Sequence, residues 1–407
     1  MSIEEKILIR DSKPRLLVAT STFPRWAMDA GPAPFVFELA RSLQKYFEVT
    51  VLAPHFPGAE LHEIWDGMEV VRFRYLPDKY ETLADGQGMQ NHLRNDKSAG
   101  FKAVPFLVGE YLAGRKLLRA RKFDFINSHW LVPSGMVFSE LARRFRVPHV
   151  VTVHAADFFM LNRSGWGKSL MRRIAASAKA VMPVNQLMAE GVKKVCPGAK
   201  TYVMPMGFDP GLFRSVDPAA VENLRRELSL QGKKLILYLG KLAEKKGVDN
   251  LLKAVKILSK DVPNFQVLVV GKGGHKPHVE RQASKLEVSY WVRFAGGVPH
   301  KAVPLYYAMA DVVAVPSRPD KYGETEGMPV VVLEALASRK PVVGTVHCHV
   351  PEALKRGGFI EVPDAGEQEL AKGLKKALEG DFQADFSLVD EYSWDRVARL
   401  YSEVIAG

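Results

Sequence analysis

Cysteine is scarce in this chain: Cys196 and Cys348 are the only two in 407 residues. That argues against a disulfide framework and fits a reducing compartment. Long apolar runs are missing too. No stretch approaches the roughly 18 apolar residues of a membrane span, and the opening MSIEEKILIRDSKPRLLVAT holds no apolar core of the secretory kind. The expected location is the cytoplasm, either free or peripheral on the inner face of the plasma membrane. A full dinucleotide fingerprint is also absent, since GKGG at Gly271 lacks the rest of G-x-G-x-x-G. His347, Cys348 and His349 have no second cluster at zinc spacing, so no metal is expected. No nucleic-acid-binding motif stands out, and no nucleic-acid partner is expected.

What the chain does have is length and charge. At 407 residues, 47% hydrophobic and 25% charged, it reads as a globular protein of two domains. The net charge of +12 is uneven: residues 1–208 hold 29 Lys+Arg against 19 Asp+Glu, and residues 209–407 hold 28 against 26. A basic half attracts anions, whether lipid headgroups, nucleic acid or substrate, without distinguishing among them.

Strand and helix signals alternate along both halves. RLLVA leads through a Pro/Gly loop into a helix with Phe35, Leu39, Leu43 and Phe47 on one face, then the strand EVTVLAP. EVVRFRYL, DFINSH, HVVTVHA and AVMPVN read as further strands. A second start at KKLILYLGKLAEKKG repeats the plan through FQVLVVG, VRFAGG, DVVAVPS and KPVVGT. This predicts two mostly parallel, doubly wound sheets facing a central cleft, with ligands beyond the carboxyl ends of the strands. The expected domains are 1–208 (N-terminal) and 209–390 (C-terminal). Residues 391–407 form a final amphipathic helix, with Val397, Leu400, Tyr401 and Val404 on its apolar face, returning toward the N-terminal domain.

The segment EGMPVVVLEALAS, Glu326 to Ser338, places carboxylates before and inside a predicted helix starting near Pro329. The helix start offers backbone N–H groups and a positive dipole end to an anion, and Gly327 allows close approach. Carboxylates accept hydrogen bonds from hydroxyls, so the pair suits a phosphate flanked by hydroxyls, as in a nucleotide sugar. Alone, Glu326 reads as a helix-start charge and Glu334 as a surface residue. In GKLAEKKG, Gly240 follows a strand, and Lys241 and Lys246 bracket a loop within reach of a diphosphate, or form a solvated basic loop.

YLGKLAEKKGVDNLLKA, ADVVAVPS, EGMPVVVLEALASRKPVV and MPMGFDPGLF resemble the signature segments of family 4 retaining glycosyltransferases, in family order along nearly the whole chain. The resemblance implies the GT-B fold, with two Rossmann-like domains, 1–208 on the acceptor side and 209–390 on the donor side. It implies a metal-independent hexosyltransferase that uses a UDP- or GDP-sugar and no cofactor. Glu326 would bind donor-sugar hydroxyls and Glu334 the ribose. Backbone N–H groups around Gly327, Met328 and Val330 would hold sugar and phosphate, with Lys241 and Lys246 on the diphosphate. The segment at Val298 would hold the base, and Gly31 would lie in the loop that meets the diphosphate. VTVHAAD makes His154 the catalytic candidate of the first half, while His129, Trp130 and Asp157 line the acceptor side. The family usually has arginine where Lys241 stands, and HCHVPE replaces a glycine-rich segment near the donor, which leaves the sugar preference open.

The implied acceptor is a glycan or lipid-linked carrier in envelope polysaccharide, glycolipid or exopolysaccharide synthesis. Residues 94–122 carry Arg94, Lys97, Lys102, Arg115, Lys116, Arg119, Arg121 and Lys122 against Asp96 and Glu110, interleaved with Phe101, Phe106, Leu107, Tyr111, Leu112 and Leu117. The segment reads as an ordinary surface helix or as a patch for an anionic membrane. A nucleotide-sugar epimerase and a non-catalytic sugar-nucleotide binder remain the alternatives.

Overall fold

The computed structural model describes residues 12–27, 29, 34–84, 89, 92, 99–363 and 366–407. The chain divides into two units, Met1–Gly207 with Trp394–Gly407, and Phe208–Ser393.

The first unit is built on a seven-stranded sheet of order β3-β4-β2-β1-β5-β6-β7. Its strands are β1 Arg15–Ala19, β2 Glu48–Pro54, β3 His62–Trp65, β4 Met68–Phe73, β5 Phe125–His129, β6 His149–Val153 and β7 Ala180–Pro183. All neighbours pair in parallel except β3, which runs antiparallel to β4. The run Leu16–Ala19 is continuously apolar because both faces of the sheet are covered. Leu16 and Val18 join the core on one face, and Leu17 and Ala19 join that on the other. The C-terminal helix Trp394–Ala406 completes the first of these cores through Val397, Ala398, Tyr401 and Ile405. Its buried stripe is rotated from the expected one. Leu400 is exposed, and Ala398 and Ile405 are packed in the core instead.

The second unit has a six-stranded, wholly parallel sheet of order β10-β9-β8-β11-β12-β13. The strands are β8 Lys234–Leu239, β9 Phe265–Val270, β10 Val292–Gly296, β11 Val312–Val315, β12 Val342–Thr345 and β13 Phe359–Val362. Leu235 and Leu237 face one core, and Ile236 and Tyr238 the other. The chain runs outward from β8 to β10, then restarts at β11 on the other side of β8. The loops after β8 and β11 therefore diverge at a topological switch point, where such sheets open a crevice. The first unit has its own switch between β1 and β5.

Candidate active site

In the second unit the loops after β8 and β11 are fastened together. The Gly240 and Leu242 N–H groups donate to Val270 and Lys272 carbonyls at 3.0 and 2.8 Å, laying the first loop along the end of β9. A turn at Glu244–Lys246 follows, and Gly247 starts the helix Val248–Leu258 at φ 65°. A Cβ on Gly247 would stand 1.8 Å from the Pro316 carbonyl oxygen, so only glycine permits the two loops to approach this closely. Arg318 then stitches them. Its N–H donates to Lys245 O at 2.9 Å, its Nε to Glu244 O at 3.2 Å, and its Nη2 pairs with Asp249 Oδ2 at 2.8 Å. Asp320 Oδ1 accepts from the Tyr322 and Glu324 N–H groups at 2.8 and 2.9 Å and folds the β11 loop back on itself.

This frame brings Lys246 and Glu326 together, with Nζ 3.1 Å from Oε1. Glu326 is buried, and its Oε1 lies off the line of a hydrogen bond from the ammonium. That oxygen accepts no hydrogen bond from the described residues. The helix Val330–Ala337 begins four residues later, with Pro329 as its cap residue rather than its first turn. Its opening N–H groups have no partners within the helix. Met328, Val330 and Val298 are half-buried and rest against the core. Lys241 is exposed, and its carbonyl takes the Tyr238 hydroxyl at 3.0 Å.

Glu334 is half-buried. One of its oxygens accepts from Tyr307 Oη at 2.7 Å. Burial pushes its carboxyl up, against the pull of Tyr307 and His300. Cys348 is buried with its thiol directed at the Val315 carbonyl, 3.4 Å away, and burial pushes it up to about 12. It is held in the core as a buried, protonated thiol. Arg318, Asp249, Thr325 and Tyr307 were not singled out from the sequence, and His349 stood there only in the His347–His349 cluster weighed for a metal. Their roles are contacts between segments far apart in the chain. Asp249, in the first turn after Gly247, gave the one local hint.

The first unit gathers its predicted residues just beyond β5 and β6. His129 Nδ1 lies 3.2 Å from His154 Nε2, with the rings stacked at 5.4 Å. Trp130, at φ 68°, turns out of β5 to lie 4.6 Å from the His154 ring, and Phe35 closes the group at 5.3 Å. Burial keeps both histidines neutral, with His154 held down to about 3. Asp157 is buried, and its Oδ2 accepts from the Leu131 N–H. It thereby fixes the turn that carries Trp130. Burial raises it to about 7, against the pull of backbone N–H groups. Gly31 lies outside the described residues.

Among the described residues, His55, Asp78 and Glu81 are the one trio with metal-ligand proximity. Arg74 already pairs with both carboxylates, at 2.8 and 3.1 Å, and His55 Nε2 is 2.9 Å from Ala59 O. The trio is a closed hydrogen-bonded network around a guanidinium.

Arg94, Asp96 and Lys97 lie outside the described residues. Within that segment lies the helix Ala99–Ala120, with Arg121 and Lys122 just past its end. Glu110 is not a surface counter-charge: it is fully buried, on the inner face with Phe106, Gly114 and Leu118. Outward, Phe101, Val104, Val108 and Leu112 make an exposed apolar stripe, followed by Lys116 and Arg119. No helix among the described residues is long and apolar enough to cross a membrane.

Residues 30–212 match the family described as Glycosyltransferase Family 4, and residues 221–387 match Glycosyl transferases group 1. The GDP-mannose-dependent alpha-(1-6)-phosphatidylinositol monomannoside mannosyltransferase of Mycobacterium tuberculosis is 30% identical over 411 residues, covering 97% of this chain and 98% of that one. The enzyme of the same description from Mycolicibacterium smegmatis is 28% identical, with 96% and 98% covered. Among solved structures, sucrose-phosphate synthase from Thermosynechococcus elongatus superposes with a TM-score of 0.70 at 19% identity, covering 96% and 94% of the two chains. The two sheets are the Rossmann-like pair of the GT-B architecture, and the chain belongs to glycosyltransferase family 4.

Proposed function

We propose that this glycosyltransferase moves a sugar from a UDP- or GDP-sugar to the hydroxyl of a glycan or lipid-linked acceptor in envelope or exopolysaccharide synthesis, with retention and without a metal. The carrying observation is the Lys246–Glu326 pair at the switch crevice, just ahead of the helix Val330–Ala337. Expelling a nucleoside diphosphate needs positive charge on the leaving group. Lys246, Lys241 and the N–H groups at Gly327, Met328 and Val330 supply it as fixed electrostatics, so turnover is expected to continue in EDTA. Glu326 binds hydroxyls of the donor sugar, the free oxygen of Glu334 takes the ribose, and the backbone at Gly240 and Val298 flanks diphosphate and base.

The acceptor oxygen bonds to the anomeric carbon on the face the diphosphate leaves. The carbon–oxygen bond to phosphate breaks with its electron pair on the diphosphate, whose oxygen takes the acceptor proton. His154 orients the transferred sugar. His129 and Trp130 serve the acceptor side, and Asp157 serves it through the turn at Leu131.

The mycobacterial relatives named for GDP-mannose and a phosphatidylinositol mannoside favour a guanosine donor and a lipid-borne acceptor. The stripe Phe101–Leu112 with its basic end suits an anionic membrane surface, where that acceptor would lie. The deciding assay follows nucleoside diphosphate release from UDP- and GDP-sugars with and without acceptor. Release that requires acceptor, with an unchanged anomeric configuration in the product, supports the reading. Sugar isomerisation without acceptor would identify an epimerase, and binding without turnover a non-catalytic module.

A further inference from the structure

Beyond β12 the chain makes a tight turn at Val346–Cys348 and enters His349 at φ 50°. The left-handed region disfavours most side chains by about 1 kcal/mol relative to glycine, with histidine among the better tolerated. Two contacts fix it. The His349 N–H donates to Val346 O at 3.1 Å, and its Nε2 lies 2.8 Å from Thr325 Oγ1. Thr325 is buried and adjoins Glu326 in the chain. The latch thus ties the β12 turn to the loop that delivers the sugar-binding carboxylate. Glu326 and His349 are close enough to act on each other electrostatically.

Two groups beside this latch stay open to a ligand. Glu326 Oε1 is buried and accepts no hydrogen bond from the described residues. When the Thr325 hydroxyl donates to Nε2, the proton of the neutral ring sits on Nδ1, which has no partner among the described residues. Burial keeps the ring neutral, below its ordinary value. An acceptor and a donor on neighbouring segments match two hydroxyls of one sugar ring.

We propose that His349, fixed by Thr325, is a specificity residue for the donor sugar: its Nδ1–H donates to a hydroxyl beside the one held by Glu326. The assignment rests on the nucleotide-sugar reading above and adds which side chain reads the sugar.

The test is isothermal titration of the full chain with UDP, GDP, their glucose, galactose and mannose conjugates, and two variants. His349→Gln keeps a group near Nε2 for Thr325 but removes the Nδ1 donor. His349→Asn keeps a donor near Nδ1 and tolerates the left-handed backbone. His349→Gln is expected to bind the free diphosphate like the wild type and the preferred sugar nucleotide about 10-fold more weakly, the loss of one hydrogen bond. It should also discriminate less between epimers, while His349→Asn retains most of the affinity. Melting temperatures near the wild type establish that both variants fold. If His349→Gln loses free diphosphate and sugar nucleotide equally, or neither, His349 does not read the sugar and the inference fails. If the wild type binds none of these ligands, the donor reading itself fails and takes this one with it.

Discussion

The Lys246 ammonium lies 3.1 Å from Glu326 Oε1, joining two loops that leave the sheet on opposite sides of the switch point between β8 and β11. Each group compensates the other's charge in a buried setting. Lys246→Ala therefore removes the countercharge of Glu326 together with the diphosphate contact proposed for it. Turnover is expected to fall about 100-fold or more, the scale seen when a preorganised donor to developing charge is lost. Glu326→Ala should reduce transfer similarly, with the folded circular-dichroism spectrum retained in both. Wild-type kcat/KM in either variant would remove the pair from the active site.

The first unit should be acid-sensitive. Burial holds His149 and His154 down to about 3, whereas an unfolded histidine titrates near 6.5. Between those values the unfolded chain binds more protons, so stability present above pH 6.5 is lost as the pH falls. At pH 5 each ring costs about 2 kcal/mol. His149 Nε2 is 2.8 Å from Ser128 Oγ, a contact that glutamine can imitate. His149→Gln should flatten the decline in melting temperature between pH 7 and pH 5. An unchanged slope would show that another group titrates there.

Glu110 works in the opposite direction. Both its carboxylate oxygens are buried without a well-formed hydrogen bond, and burial raises the group to about 8, with Ser134 pulling weakly the other way. A carboxyl raised on folding stabilises fully below its unfolded value, and that contribution is lost as the pH rises through 8. Glu110→Gln needs no proton to enter the core. At pH 7.5 it should be more stable than the wild type by about 4 kcal/mol, with the gain shrinking toward pH 5. Urea denaturation at the two pH values reads this directly, and a destabilised variant at both would contradict it.

The outward face of the helix Ala99–Ala120 gives a further prediction. Phe101 is 85% exposed and Leu112 53%, and burying each such side chain in lipid is worth about 1.5–3 kcal/mol. The double variant Phe101→Asp, Leu112→Asp should lose most sedimentation with phosphatidylglycerol vesicles, yet keep turnover on a soluble acceptor. Equal sedimentation would leave the helix an ordinary surface element.

Strands buried on both faces were legible because burial demands continuous apolar runs, as in Leu16–Ala19 and Val267–Val270. β3 and β13 were not. HEIW exposes three of its four residues to varying degree, and FIEV is half-buried at a sheet edge, so neither shows such a run. At the site, Glu326, Lys246 and His154 stood out because a carboxylate ahead of a helix start, a lysine in a glycine-bounded loop and a histidine at a strand end are local features. The Thr325–His349 latch, the Arg318–Asp249 clamp and the Tyr307–Glu334 bond join positions 24, 69 and 27 residues apart, and periodicity carries no trace of them.

The alternation of strands and helices, the two sheets and the family are readable from the chain alone. Each follows from short-range apolar period and local motif chemistry. Which charges are neutralised, which are stranded and which face outward emerges only on folding. Glu110 and Glu326 are both carboxylates in helical or pre-helical segments, yet one is sealed in a core and the other meets a lysine at a crevice. Desolvation and pairing depend on neighbours brought in through space, and strand order sets those neighbours.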